Sequence, residues 1–192
     1  MKIAQYKRKI KGLTNYKKRL TLLKSRKPRL VIRKSNKNIV IQLIDYKPTG
    51  DIILLSTHSR ELKKYGWKPQ LNNLPSAYLT GLLCGNKLKN KKITEFVVDI
   101  GFNRKINGSI IFAAVKGIND SGIKLSIEKV APSEERIKGT HIAKYATLLK
   151  EDQEKYQKQF SNYTKINFNP EDFEKHFLEI KNKILEGKNG KE

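Results

Sequence analysis

Cysteine occurs once in the chain, at Cys84, which excludes an internal disulfide and leaves a structural zinc site short of thiolates. The three histidines, His58, His141 and His176, are far apart and match neither HExxH nor a Cys/His ligand spacing, so no metal or other cofactor is expected. No apolar run approaches the roughly 20 residues that cross a bilayer. The start MKIAQYKRKI is not an apolar signal segment. A membrane or secreted protein is therefore not expected, and the compartment reads as reducing and cytoplasmic. Neither a Walker pattern nor GxGxxG after a strand is present, so Gly117 and Gly122 read as a helix end. The most informative shortage is of negative charge: residues 1–44 hold 15 Lys and Arg and no Asp or Glu at all.

The formal net charge is +23 over 192 residues, and it is unevenly placed. Residues 45–149 carry 17 basic and 9 acidic side chains, and residues 150–192 carry 9 of each. A compositional bias toward lysine would spread the excess along the chain. Its concentration before Asp45 instead marks a segment that grips a polyanion, because such a surface raises the local concentration of nucleic acid by long-range attraction.

Residues 2–11 mix cations with Tyr6 and have no apolar face, so they are expected to lack a fold of their own. A helix follows from Thr14 or Asn15, with Tyr16, Leu20 and Leu23 on its packing face, and ends before Pro28. RLVIRK and IVIQLIDY around the turn SNKN predict a hairpin, and DIILLST a third strand. After a short helix RELKKYG, capped by Ser59, come a helix opened by Pro75, the buried strand EFVVDIG, a helix SIIFAAVKGINDSG, and IKLSI as a possible last strand. HIAKYATLLKEDQEKYQKQF reads as one long amphipathic helix. Pro170 opens another, with Phe173, Phe177, Ile180 and Ile184 on a stripe that must dock on its own sheet or on a neighbour. The expected architecture is α/β, a mixed sheet flanked by helices. It divides into a basic arm and helix (1–27), a sheet domain (28–138) and a helical C-terminal extension (139–192).

Catalysis would need converging carboxylates, and Asp45, Asp51, Asp99 and Asp120 are available near strand or loop ends. Asp residues in such places ordinarily serve local hydrogen bonds, and Cys84, inside GLLCGNK, reads as core. Nucleic-acid binding fits better. Tyr6 stands with Lys7, Arg8 and Lys9, Tyr16 with Lys17, Lys18 and Arg19, and Asn36 with Lys37. Cations neutralise phosphates while aromatics and amides engage unpaired bases. Trp67, between lysines in YGWK, is expected at an RNA or protein contact, the alternative being a cap on the edge of the core.

Taken in order, YKRKIKGLTNYKKRL, KPRLVIRKSNKNIVIQL, HSRELKKYGWK, NLPSAYLTGLL, DIGFNRKINGSIIFAAVKG and RIKGTHIAKYA resemble the archaeal-type large-subunit ribosomal proteins that bind 5S rRNA, family eighteen in the universal naming. The resemblance covers nearly the whole chain. It implies a ribonuclease-H-like topology used as an RNA scaffold, without a catalytic centre or cofactor. It also implies contacts with 5S rRNA, 23S rRNA and neighbouring proteins of the central protuberance. The contacts it implies are Lys7, Arg8, Lys9, Lys11, Tyr16 and Arg19 in the arm, Asn36 and Lys37 in the hairpin, and His58, Ser59 and Arg60 beyond it; Lys17, Arg29, Arg33 and Trp67 are further candidates for RNA contact. Arg104 and Lys105 in FNRKINGS complete the set. A DNA-coating protein and a metal-dependent nuclease are the competing readings.

Overall fold

The structure, a computed structural model, describes residues 5–127 and 129–187; residues 2–4 of the basic start and 188–192 of the C-terminal extension lie outside the described residues. Two short helices, α1 (Lys7–Ile10) and α2 (Tyr16–Leu23), precede strands β1 (Arg29–Lys34), β2 (Ile39–Asp45) and β3 (Ile52–His58). A fourth strand, β4 (Val97–Asp99), lies beside β1 and parallel to it, while β2 runs antiparallel to both β1 and β3, giving the order β3-β2-β1-β4. The hairpin closes because the Ser35 N–H donates to the Asn38 carbonyl (2.8 Å) and the Asn38 N–H to Ser35 Oγ (3.0 Å). Along the strands Leu30, Ile32, Ile39, Ile41 and Leu43 face the core, and Arg29, Arg33, Val40, Gln42 and Ile44 face the other way.

That core is covered by α3 (Leu74–Asn90) and α4 (Ile110–Asp120), a mixed sheet with helices packed on it, as expected. Asn73 and Ser76 cap α3 reciprocally, and Pro75 occupies its first turn. The two helices touch backbone to backbone. A Cβ at Gly81 would sit 2.0 Å from the Ala114 carbonyl oxygen, and one at Gly117 would sit 2.1 Å from that of Tyr78. On its outer side α3 carries a second core, formed with α5 (Glu134–Lys138), α6 (Thr140–Leu149), α7 (Gln153–Lys165) and α8 (Phe173–Leu185). Phe173, Phe177, Ile180 and Ile184 are fully buried there against Leu62, Tyr78, Leu79 and Leu82. The stripe therefore docks on the helical layer of its own chain, not on the sheet.

Several expectations are corrected. IKLSI forms no strand: Ile123 and Ile127 are buried and the residues between alternate toward solvent, yet the Leu125 N–H goes to Asn119 Oδ1 (2.9 Å) instead of a ladder. The long helix is two, because Asp152 caps α7 by accepting the Lys155 N–H (3.1 Å), and α7 itself kinks at Phe160. His58, not Ser59, caps the following 3-10 helix, Ser59–Tyr65. At the outer edge of the sheet, Lys91, which caps the C-terminus of α3, and Lys87 within it donate to the β3 carbonyls of Leu54 (2.6 Å) and Ser56 (3.2 Å).

Candidate nucleic-acid interface

The basic helices fold back on one another and sit at the sheet face that α3 and α4 leave uncovered. Tyr6 stacks on Tyr16 with ring centroids 4.7 Å apart, and Arg8 Nε donates to Thr14 Oγ1 (3.0 Å). Asn15 caps α2 by accepting the Lys18 N–H (3.0 Å). Two cations then tether α2 to the sheet: Lys18 Nζ donates to the Gly101 carbonyl (2.8 Å), and Arg19 pairs with Asp51 (2.8 Å). Leu20, expected on the packing face, is 60% exposed. Lys7, Arg8, Lys9, Lys11 and Lys17 all lie exposed, and among the described residues none of them pairs with a carboxylate.

Beneath α2 lies a cleft of about 280 Å³ in which Asp51 and Asp99 offset part of the positive charge. Arg29 is buried, with Nη1 at 3.1 Å from Asp99 and Nη2 at 2.8 Å from Asp51. Its guanidinium holds the two carboxylates together at the floor of the cleft. Arg33 remains half-exposed, leaning on Asp99 at 3.6 Å. Asp99 also accepts the Gly101 N–H (2.8 Å), and Asp120 takes the Tyr78 hydroxyl (2.9 Å) and Lys116 (2.8 Å). Asp51, Asp99 and Asp120 are thus counter-ions to particular side chains, and among the described residues no three metal-binding groups converge. Burial pushes the Cys84 thiol up to about 12, which suits a core residue and not a nucleophile.

At the other end of the sheet, Asn36 and Lys37 occupy the exposed hairpin tip, which Asn72 braces by donating from Nδ2 to the Asn36 carbonyl (3.0 Å). In the HSR segment only Arg60 is exposed. The His58 Nδ1 accepts the Arg60 N–H (3.0 Å), and burial, reinforced by the Arg60 charge, holds its imidazole below the ordinary 6.5. Ser59 is buried and accepts the Ile39 N–H at Oγ (3.1 Å), tying the 3-10 helix to β2. Its hydroxyl is thus committed to a buried backbone amide. Trp67 lies in the second core, the alternative placement expected for it. It is 2% exposed, stacks on His176 (5.3 Å), meets Phe173 edge-on (5.6 Å) and donates its indole N–H to the Gln70 carbonyl (3.2 Å). Arg104 and Lys105 are exposed on the loop before α4.

Sequence reasoning missed Lys34 and Arg136, which meet Arg104 around a hollow of about 530 Å³, and Lys63, Lys68 and Lys165, which gather near the hairpin tip. No local motif distinguishes these lysines from those on any solvated face. Their spatial grouping is a product of the tertiary fold.

The family model described as "Ribosomal large subunit proteins 60S L5, and 50S L18" matches residues 3–96, a span holding every expected contact except Arg104 and Lys105. The large ribosomal subunit protein uL18 of Ignicoccus hospitalis is 47% identical over 182 residues, covering 94% of this chain and 89% of that protein. The chain belongs to the uL18 family. The uL18 protein of Methanococcus maripaludis is 47% identical over 149 residues, 77% of each chain. As a uL18 family member the protein is a structural constituent of the large ribosomal subunit, and the exposed cations described above are to be read against rRNA as the polyanion.

Proposed function

We propose that this ribosomal constituent binds 5S rRNA through its basic N-terminal arm and the adjoining sheet face, and helps anchor it to 23S rRNA in the central protuberance beside neighbouring proteins. The observation that carries the reading is the set of unpaired cations Lys7, Arg8, Lys9, Lys11 and Lys17, held by two tethers over a sheet face whose arginines share the carboxylates of Asp51 and Asp99. A cation already neutralised inside the protein releases no counterion from RNA, whereas an unpaired exposed one does. Arg33, Asn36, Lys37, Arg60, Arg104 and Lys105 are the further contacts. Tyr16 and His58 position the arm and Arg60, and Arg29, Ser59 and Trp67 act as supports. The strand order and the single parallel pairing support the ribonuclease-H-like topology that the resemblance implies.

The test is a salt titration of binding to 5S rRNA and to a DNA duplex of equal length. Changing Lys7, Arg8, Lys9 and Lys11 to Gln is expected to flatten the log-log slope for 5S rRNA by about 3, at roughly 0.7–0.9 per phosphate contact. Equal affinity for the DNA duplex would favour the DNA-coating reading, and an unchanged slope would place the phosphate contacts elsewhere.

A further inference from the structure

A groove of about 640 Å³ opens away from the N-terminal helices, between the hairpin tip, the loop that follows the 3-10 helix, and the end of α7. Its lining holds five cations, Lys37, Arg60, Lys63, Lys68 and Lys165, and no carboxylate. The cleft under α2 sets Lys18, Arg19, Arg29 and Arg33 against Asp51 and Asp99, a net of +2 where the groove has +5. Among the described residues none of the groove's five cations forms an ion pair. Positive charge at this density, without internal counter-ions, favours a phosphodiester ligand.

The groove also presents amides: Asn36, Asn38, Gln70, Asn72 and Asn162. An amide both donates and accepts, so it can bond to base edges, and in RNA those edges are accessible chiefly where the strand is unpaired. Asn72 spends its Nδ2 on the Asn36 carbonyl, while its buried Oδ1 accepts no hydrogen bond among the described residues. With that oxygen buried, Asn72 braces the hairpin tip, and the base edges fall to the amides of Asn36, Asn38, Gln70 and Asn162. The wall is also rigid. Trp67 is locked between Phe173 and His176, and the Lys68 N–H points at His176 Nε2 (3.4 Å), so α8 fixes the loop bearing Lys68, Gln70 and Asn72. The buried tryptophan therefore shapes a binding surface without touching the ligand.

We infer that this groove binds an unpaired segment of ribosomal RNA, phosphates on the lysines and base edges on the amides, and that the end of α7 is part of the RNA-binding surface. The inference rests on the rRNA-binding reading but not on the N-terminal arm. Lys63, Lys68 and Lys165 are all exposed and lie outside the contacts assigned above. The experiment changes these three together to Gln, and in a control to Arg, in the full-length protein. Binding to 5S rRNA and to 23S rRNA is then followed separately against salt, with Trp67 emission reporting the fold.

Three lost phosphate contacts are expected to flatten the slope by about 2 with at least one of the two RNAs, at roughly 0.7 per contact for a single strand. The Arg control should restore it. Unchanged slopes with both RNAs, in a variant whose Trp67 emission is native, would overturn the groove. The four-residue arm variant is measured alongside. A slope lowered by the groove variant but not by the arm variant would sink the arm and leave the groove standing, and the reverse would do the opposite.

Discussion

Replacing Asp99 by Asn probes the buried charge network directly. The Asp99 carboxylate is 8% exposed and meets the Arg29 guanidinium, itself 5% exposed, at 3.1 Å, with Arg33 at 3.6 Å and the Gly101 N–H on its other oxygen. The amide retains an acceptor for Gly101 but loses the charge facing two guanidinium groups. A hydrogen bond to a charged partner contributes about 1.5–3 kcal/mol, and stripping a buried ion of its only partner costs about 3–5. Arg29 keeps Asp51 at 2.8 Å, so the lower range applies, and the expected loss is about 2–3 kcal/mol. In urea, with a slope of about 2 kcal/mol per molar, the midpoint should fall by about 1–1.5 M. Trp67, the only tryptophan and almost fully buried, provides the fluorescence signal. Asp51→Asn, at a site three times more exposed, should cost less. A midpoint for Asp99→Asn within about 0.3 M of the parent would refute the claim that this carboxylate is a structural counter-ion. The same variant tests the nuclease reading: RNA incubated with magnesium should stay intact with either protein, and cleavage by the parent that vanishes in the variant would revive it.

Two further outcomes are expected. Gly81→Ala places a methyl group into the Ala114 carbonyl and must separate α3 from α4, so it should cost about 3 kcal/mol or more in the same urea assay; a loss below about 0.5 would show that the crossing is loose. Burial lowers the pKa of His58, His141 and His176 below 6.5, so the unfolded chain takes up protons more readily than the folded one. Stability is then fully present above about pH 6.5 and declines as pH falls below it, and identical urea midpoints at pH 8 and pH 5.5 would contradict this.

The hairpin, the third strand, α3 and α4 were legible because their signals are local: β-branched runs around SNKN, a proline at a helix start, glycines at a helix end. What stayed hidden depended on partners distant in the chain. Trp67 looks exposed among lysines, yet Phe173 and His176, more than a hundred residues later, enclose it. Arg29 looks like one more cation of a basic segment until the fold brings Asp51 and Asp99 to it. In IKLSI the alternation was real, since Ile123 and Ile127 are buried, but a strand also needs a neighbour's edge, and periodicity cannot supply one. The break before α7 did leave a trace, Asp152 followed by Glu154, the pattern of a capped and acid-rich first turn. For the candidate interface, the charge census marked the basic residues before Asp45. The grouping of Lys63, Lys68 and Lys165 exists only after folding.

The lysines that lean from α3 onto the outer edge of the sheet bear on the protein's life before assembly. A chain waiting for its RNA carries an open strand, β3, of the kind onto which a second copy could add itself. An incoming strand would have to compete with the ammonium groups of Lys87, itself paired with Glu61, and Lys91 for the carbonyls of Ser56 and Leu54, and would then lie against the displaced charge of Lys91. Copies of so cationic a protein also repel one another. The edge thus works as a guard against self-association during the interval in which the polyanion that will neutralise the molecule has not yet arrived.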